Sequence, residues 1–285
     1  YNTLILGQNT MKSLSFKNKV VKNTNYYGFR RFLPMYLCFK NNMKEYVIGD
    51  IHGGYLALKA LIEKLSLAPE DRLIFLGDYV DGWSEPVETV DYLCELKARY
   101  NTILLMGNHD SLALDWLLNG TANDLWLSHG GAATVAAYQK VSENKKKAHI
   151  SFYTALMPYY LDSKNRLFIH AGFTNQKGVA KEYFEKIFYW DRSLWESAIS
   201  LDPRIPTNSP LYPKRFLCYS EIFIGHSSLD KIGESVPTKH ANVWNIDTGA
   251  AFKGPLSAME INTKDFWQSA AVYLYYPHEL GRNDS

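Results

Sequence analysis

The sequence has few cysteines and no long hydrophobic segment. Its three cysteines, Cys38, Cys94 and Cys218, are too few and too scattered among 285 residues to build a disulfide framework or a zinc cage. The most apolar short stretch, Phe32–Phe39, is far shorter than the ~20 residues that a membrane-spanning helix requires. We therefore expect a cytoplasmic protein, kept in a reducing compartment, that does not cross a membrane.

Acidic residues are absent from positions 1–42, which hold seven Lys or Arg side chains, although the net charge of the whole chain is only +2. The remainder is therefore acidic, which argues against a nucleic-acid partner because such binding requires a positive face. Regular hydrophobic patterning begins at Met43. We expect residues 1–42 to lie outside the fold, as a start-site artefact, a basic targeting leader or a basic binding tail, and residues 43–285 to form a single domain.

Short apolar runs alternate with amphipathic segments in the first part of this domain. The predicted strands are Tyr46–Ile48, Leu73–Leu76 and Ile103–Met106. The predicted helices cover residues 55–66, start at Pro86, and start at Ser111. This alternation is typical of βαβ units and predicts a mainly parallel sheet.

The second part is predicted to be richer in strands. Residues 111–160 are expected to be helical, and a further helix is predicted over 181–199. The predicted strands are Leu167–Ile169, Ile222–Ile224, Val243–Ile246, Ala258–Ile261 and Val272–Tyr275. Since neither an internal repeat nor a low-complexity linker marks a boundary, we expect one α/β domain.

Five predicted strands end beside a glycine and a carboxylate, carboxamide or imidazole group. The residues concerned are Asp50, His52, Asp78, Asn108, His170 and His226. One such strand end is usually only a turn or a packed side chain, but five in a consistent order favour a shared site at the carboxyl ends of the strands. Three histidines with carboxylates and a carboxamide suit Mn, Fe or Zn better than Mg or Ca, which prefer oxygen ligands.

These loops resemble the signature of the calcineurin-like metallophosphoesterase superfamily. The matching blocks are Gly49–Gly53, Gly77–Asp78, Gly107–His109, His170 and Gly225–His226. Trp126-Leu127, Gly130-Gly131, Thr134 and the block Asn245–Gly249 are most similar to bacterial serine/threonine protein phosphatases of the phosphoprotein-phosphatase type. Over residues 43–275 the resemblance implies an α/β fold in which two packed mixed β-sheets are flanked by helices, a four-layer sandwich.

The resemblance also implies two divalent metal ions, with Mn²⁺ expected and Fe or Zn as alternatives. The implied ligands are Asp50, His52 and Asp78 for the first ion and Asn108, His170 and His226 for the second, with Asp78 bridging. Paired ions ~3.5–4 Å apart can clamp the attacking and leaving oxygens of an in-line displacement. A metal-bound hydroxide would then attack phosphorus directly, without a covalent intermediate.

Further roles follow from the same resemblance. His109 would act as the general acid, and Asp81 would orient it and favour its charged form. Arg192 and Asn108 would bind the substrate phosphate. One position departs from the pattern, because Gly82 stands where protein-phosphatase relatives carry an arginine that grips phosphoryl oxygens. We therefore expect Arg192 to carry that grip alone.

The implied function is phosphoester hydrolysis by a phosphomonoesterase resembling serine/threonine protein phosphatases, acting on a phosphoprotein or a small phosphoester. The alternative is a hydrolase of dinucleoside polyphosphates such as diadenosine tetraphosphate, because His170-Ala171-Gly172 is also similar to that branch. A third possibility, an inactive phosphoprotein-binding scaffold, is disfavoured because every implied ligand is present. The oligomeric state stays open.

Overall fold

The computed structural model describes residues 43–282. The expectations for residues 1–42 therefore fall outside the described residues. Within the described range, no helix combines the length and the apolar character needed to cross a membrane.

The first of two five-stranded sheets contains the three early βαβ strands. Its members are β1 (Glu45–Ile48), β2 (Arg72–Phe75), β3 (Asn101–Leu104), β9 (Pro255–Glu260) and β10 (Phe266–Ala271). The strand order is β10-β9-β1-β2-β3. Strands β1, β2 and β3 run parallel, whereas β9 and β10 pair in antiparallel fashion. The predicted parallel unit is thus confirmed, with an antiparallel edge added by the C-terminal part of the chain.

The second sheet repeats this plan with a different set of strands. It contains β4 (Tyr159–Leu161), β5 (Arg166–Ile169), β6 (Glu221–Ile224), β7 (Thr238–His240) and β8 (Val243–Asn245). The order is β4-β5-β6-β8-β7, with β5, β6 and β8 parallel. Both sheets therefore place three parallel carboxyl ends side by side.

Helices connect the strands and cover the outer faces of the sheets. They are α1 (Tyr55–Leu65), α2 (Pro86–Arg99), α3 (Asn108–Asn119), α4 (Asp124–Trp126), α5 (Ala132–Tyr138), α6 (Glu143–Thr154), α7 (Ile187–Trp190) and α8 (Ser193–Ser200). A kink within Leu127–Gly131, with non-helical backbone at His129 and Gly130, joins α4 to α5. The last two helices, α7 and α8, pack on the second sheet.

Alternating side chains of the central strands divide the core into layers. In β1, Tyr46 and Ile48 pack with the helices of the first half, whereas Val47 faces the other way. In β5, Phe168 meets Val47 in the same central cluster, whereas Leu167 packs toward the helices of the second half. This period-two alternation buries one face of each sheet against the other and one against helices. The expected four-layer α/β sandwich of two mixed sheets is confirmed.

Several predicted elements differ in detail, among them the predicted helical region 111–160, whose end belongs to strand β4 at Tyr159–Leu161. Residues Val272–Leu274 form a 3₁₀ turn rather than a strand, and the edge strand lies just before it at Phe266–Ala271. The predicted helix over 181–199 begins only at Ile187 and is interrupted at Asp191, whose carboxylate accepts hydrogen bonds from the backbone N–H groups of Ser193 and Leu194. The Asp191 side chain therefore caps a new helix, α8. The apolar residues keep a helical spacing along the sequence although the helix itself is interrupted.

Candidate metal centre and substrate cleft

The backbone joins the first two strand-end loops directly. The N–H groups of Ile51 and His52 both donate to the carbonyl oxygen of Asp78, at 3.0 and 2.9 Å, and Gly53 N–H donates to Tyr79 at 2.8 Å. Since β1 and β2 are adjacent and parallel, these loops leave the same edge of the sheet. The predicted convergence of Asp50, His52 and Asp78 is therefore built into the backbone.

A buried carboxylate, Asp110, ties the second loop to the third. It accepts hydrogen bonds from the backbone N–H groups of Asp78, Tyr79 and Gly107 at 2.7–2.9 Å. Burial, followed by the nearby charge of Asp78, raises the pKa of Asp110 to about 8. This residue was not among the predicted site residues, although its place three residues after Gly107 at the start of α3 is the position of a capping-box carboxylate.

Four site residues adopt the left-handed backbone conformation. His52, Asp78, Asp81 and His226 have φ values of 55°, 55°, 71° and 63°. Asp and His tolerate this region better than most side chains, yet each such residue costs of order 1–3 kcal/mol, which the surrounding packing and hydrogen bonds must offset. The strain turns these side chains inward from sharp strand-to-loop corners.

Two glycines are required because carboxylates occupy the space that a side chain would need. A Cβ atom on Gly107 would lie 2.1 Å from Asp78 Oδ1, and one on Gly225 would lie 2.0 Å from Asp50 Oδ1. The glycine next to a ligand, read from the sequence as a turn signal, therefore also lets a carboxylate approach the backbone closely.

The side chains form two ligand groups that share Asp78. One group brings together His52, Asp78 and His109, and the other brings together Asp78, His170 and His226. Asp78 Oδ2 lies 3.6 Å from His52 Nε2 and 3.4 Å from His170 Nε2. Since His52 follows a strand of the first sheet and His170 a strand of the second, one carboxylate oxygen links both halves of the fold.

The remaining predicted ligands, Asp50 and Asn108, lie at the same centre. Asp50 Oδ2 is 3.8 Å from His52 Nε2 and accepts the backbone N–H of His226 at 3.0 Å. The Oδ1 atom of Asn108 is 3.1 Å from His170 Nε2 and 2.9 Å from His226 Nδ1. All six sequence-predicted ligands are thus brought together.

The donor atoms fit divalent metal ions. The Nδ1 atoms of His52 and His170 lie within 2.9 Å of the backbone carbonyls of Asp81 and Leu76, so Nδ1–H donates to them and each Nε2 is left as a lone-pair donor. Asp50 Oδ1 and His226 Nε2 are buried and have no hydrogen-bond partner among residues 43–282. Buried polar atoms of this kind are normally satisfied, and a cation would satisfy these two.

The electrostatics of this cluster also favour cations. Burial alone would raise the pKa of Asp78, but the charges of His170 and His109 bring it well below its usual value. Burial opposes the charge on His170, yet the Asp78 and Asp50 carboxylates raise its pKa to about 9. A proton on His170 therefore occupies the place of a cation, and metal binding would release it.

A further carboxyl group, Asp247, lies beside this centre at the end of β8. Burial, then the charge of Asp247, raises the pKa of Asp50 well above its usual value, and burial brings the pKa of Asp247 itself to about 6. The side chain of Asp247 also accepts the N–H of Gly249 at 3.0 Å. Asp247 belongs to the block Asn245–Gly249 that carries part of the family resemblance, but it was not among the predicted site residues.

His109, the candidate general acid, and Asp81 are hydrogen-bonded to each other as predicted. His109 Nδ1 lies 2.7 Å from Asp81 Oδ2, and both groups are buried. Asp81 also accepts hydrogen bonds from Trp126 Nε1 at 2.5 Å and from Thr134 Oγ1 at 2.6 Å. Three donors hold this carboxylate, so it fixes the orientation of the imidazole. Trp126 and Thr134 appeared in the sequence only as part of the resemblance.

A cleft of about 380 Å³ opens on this centre. Its polar wall includes Asp78, Asn108, His109 and His226, and its apolar wall includes Leu112, Leu125, Trp126, Trp190 and Phe252. Three cationic side chains line it as well: the predicted Arg192, together with Lys231 and Arg282, which sequence analysis missed. Arg192 is therefore not the only arginine at the cleft.

The two arginines act on different halves of the centre. The pKa of His52 is lowered well below its usual value by burial and next by the charge of Arg282. The pKa of His226 is lowered by burial, then by His170 and Arg192. Arg282 therefore lowers the pKa of a histidine in one half of the centre, and Arg192 lowers the pKa of a histidine in the other half.

The calcineurin-like phosphoesterase family matches residues 43–250 of this chain. This range is most of the sequence and contains the six converging ligands, so the chain belongs to the calcineurin-like phosphoesterase family. The sandwich of two mixed five-stranded sheets is the fold that this family predicts.

Curated relatives and solved structures extend this comparison. The chain is 28% identical over 233 residues to the asymmetrical bis(5'-nucleosyl)-tetraphosphatase PrpE of Geobacillus thermodenitrificans, covering 75% of this chain and 88% of the relative. A solved structure provisionally named a diadenosine tetraphosphatase has a TM-score of 0.56 at 18% identity, covering 81% of this chain and 95% of that one. A serine/threonine phosphatase from Saccharomyces cerevisiae has a TM-score of 0.51 at 15% identity, covering 81% of each chain. At these identities the two structures establish the shared fold.

Replacing Gly225 by alanine should remove at least one ion from the metal centre. The new Cβ would lie 2.0 Å from Asp50 Oδ1 and would push that carboxylate away from His52. We expect Gly225→Ala to reduce the bound metal, measured by elemental mass spectrometry after dialysis, by at least one ion per chain. As a control, Gly120→Ala introduces a Cβ with no neighbour within 4 Å and should keep the wild-type metal content despite a backbone φ of +73°. Full metal content in Gly225→Ala would contradict the close approach.

Proposed function

We propose that the protein hydrolyses phosphoric esters or anhydrides with two divalent ions, Mn²⁺ being the expected metal and Fe or Zn the alternatives. The proposal rests on one observation above all: two ligand groups share the Asp78 carboxylate at the floor of a cationic cleft. Asp50, His52 and Asp78 would hold one ion, and Asp78, Asn108, His170 and His226 the other. When bound, such ions activate water as a nucleophile near neutral pH and neutralise charge on phosphoryl oxygens.

The protein's own groups perform the remaining steps. Arg192 lines the cleft and would hold the phosphoryl oxygens through charge-assisted hydrogen bonds. Asn108 borders the same cleft and would contact the phosphoryl group beside its ligand role. His109, held by Asp81 through Nδ1, leaves Nε2 to deliver a proton to the departing oxygen.

The substrate class that the cleft supports best is a dinucleoside polyphosphate. A chain of phosphates carries several negative charges, and three cationic side chains border the cleft beside the ligand groups. The indole of Trp190 is 45% exposed and offers a face on which a nucleobase could stack. The curated relatives are named as bis(5'-nucleosyl)-tetraphosphatases, which supports the same class.

A phosphomonoester substrate is the second candidate, and the His109–Asp81 pair favours it. Departure of a serine or threonine alkoxide needs a proton in the transition state, whereas a nucleotide phosphate leaves more readily without one. Asp81 accepts three hydrogen bonds and thereby holds the imidazole of His109 in one orientation. A general acid positioned in this way accelerates the reaction most when the leaving group is poor. Leaving-group dependence distinguishes the two candidates.

A substrate panel with and without metal tests the reaction. We expect hydrolysis of diadenosine tetraphosphate, and slower hydrolysis of phosphopeptides and an aryl phosphate, in protein loaded with Mn²⁺. Exhaustive chelation, with metal content verified as nil, should abolish all of it, and re-addition of Mn²⁺ should restore it. Undiminished turnover by the metal-free protein would overturn the two-metal proposal, and turnover of phosphopeptides alone would select the second candidate.

The His109→Asn variant measures the proton transfer. We expect turnover of phosphoserine peptides to fall by about 10²–10⁴-fold, the usual range for a lost general acid, with a smaller loss on an aryl phosphate. Metal content should stay at the wild-type level. His109 lies close enough to His52 and Asp78 to be a ligand itself, so loss of metal in His109→Asn would reassign it to the metal centre.

The Trp190→Ala variant tests nucleobase binding. Loss of a stacking platform worth roughly 1–3 kcal/mol should raise KM for diadenosine tetraphosphate by roughly 5- to 150-fold. KM for a small aryl phosphate should change little. Tyr183, which is 87% exposed and does not line the cleft, provides the matched control Tyr183→Ala. Equal changes in KM for both substrates would show that Trp190 shapes the cleft without binding a base.

A further inference from the structure

The position that lacks an arginine, Gly82, is covered by an arginine from the end of the chain. A Cβ atom built on Gly82 would lie 3.2 Å from Cγ of Arg282, and one built on Gly130 would lie 3.1 Å from the same atom. Gly82 and Gly130 are themselves joined, since Gly82 N–H donates to the Gly130 carbonyl at 3.2 Å. The aliphatic stem of Arg282 therefore lies across two glycines that leave room for it.

Trp83 anchors the segment that carries this arginine. The indole is fully buried, donates Nε1–H to the Ala250 carbonyl at 2.8 Å and stacks on Tyr276 at a centroid distance of 5.3 Å. Gly281 packs so closely on Trp83 that a Cβ there would lie 2.6 Å from the ring. Arg282 N–H then donates to the Ala251 carbonyl at 2.8 Å. The backbone of Arg282 is thus fixed beside the metal centre.

The guanidinium group has no carboxylate partner within residues 43–282. Its Nε atom is buried without a hydrogen-bond partner in that range, and Cζ lies 5.5 Å from the ring centroid of Phe252. The ion pairs formed by other arginines, such as Arg166 with Glu45 at 2.9 Å, have no counterpart here. An arginine with an unsatisfied buried donor beside Asp78, Asn108 and His109 is ready to bind an anion.

We propose that Arg282 binds the substrate's phosphoryl group and takes the place of the arginine that Gly82 cannot supply. This inference rests on the proposed function, because the anion is the phosphoryl group that the metal centre hydrolyses. It also explains Gly82 and Gly130: with φ values of 127° and 103°, both positions disfavour side chains, and a side chain at either would meet the stem of Arg282. The cleft then has two guanidinium groups, from Arg192 and Arg282.

The test compares Arg282→Met with Arg282→Lys. Methionine keeps an apolar stem over the glycines and Phe252, so the fold should persist, which thermal unfolding will check. We expect kcat/KM for the best substrate to fall about 10²-fold in Arg282→Met, the scale for a lost charge-stabilising donor. Arg282→Lys should recover only part of this loss, because a point charge does not reproduce the planar fork. Arg204→Met, which removes an exposed arginine paired with Asp202 at 2.7 Å, should match wild type.

A second measurement does not depend on turnover. Inorganic phosphate is titrated calorimetrically into Mn²⁺-loaded wild type, Arg282→Met and Arg204→Met, with equal metal content verified beforehand. We expect phosphate affinity to fall at least tenfold in Arg282→Met alone. Unchanged phosphate affinity, or a kcat/KM within twofold of an active wild type, would overturn the role of Arg282 and leave the proposed function intact. A wild type that binds phosphate through Arg282 but hydrolyses nothing would count against the proposed function instead.

Discussion

The Asp78 carboxylate is the group on which the arrangement of the centre depends. Its Oδ2 atom faces a histidine from each sheet, and its Oδ1 atom accepts the backbone N–H of His109 at 2.9 Å. One carboxylate therefore sets the distance between the two ligand groups and also places the start of α3. Asp110 fixes Asp78 in turn through the backbone N–H. A shift of the second loop would consequently move the metal ligands and the general-acid candidate together.

The cleft is assembled from parts of the chain that are distant in sequence. Its metal ligands come from the ends of parallel strands in both sheets, whereas Arg192 precedes α8 and Arg282 follows the last strand. The strand ends are rigid because the sheets bury both faces, so they suit groups that must keep fixed distances. The cationic side chains come from connecting segments, where the sequence can change without disturbing the sheets.

Local signals predicted the candidate metal ligands, because all of them except His170 adjoin a glycine at the end of a short apolar run. Because neighbouring strands in each sheet run parallel, their carboxyl ends lie side by side. A signal found at single strand ends could therefore indicate a site formed by several of them. Asp110 and Arg282 lacked such a signal. The first acts through backbone N–H groups of another loop, and the second reaches Gly82 only because Trp83 packs on the C-terminal segment. Residues Val272–Leu274 form a 3₁₀ turn just after the edge strand, where hydrophobicity alone predicted a strand.

The left-handed backbone at His52, Asp78, Asp81 and His226 has a consequence for the life of the protein in a cell. These corners and the crowded carboxylates raise the free energy of the metal-free fold, whereas an ion bound only by the folded state lowers it by mass action. Folding and metal supply are therefore linked. When the metal is scarce, a larger fraction of the protein would be unfolded and open to proteolysis. The cellular amount of this protein should therefore follow the availability of its ion.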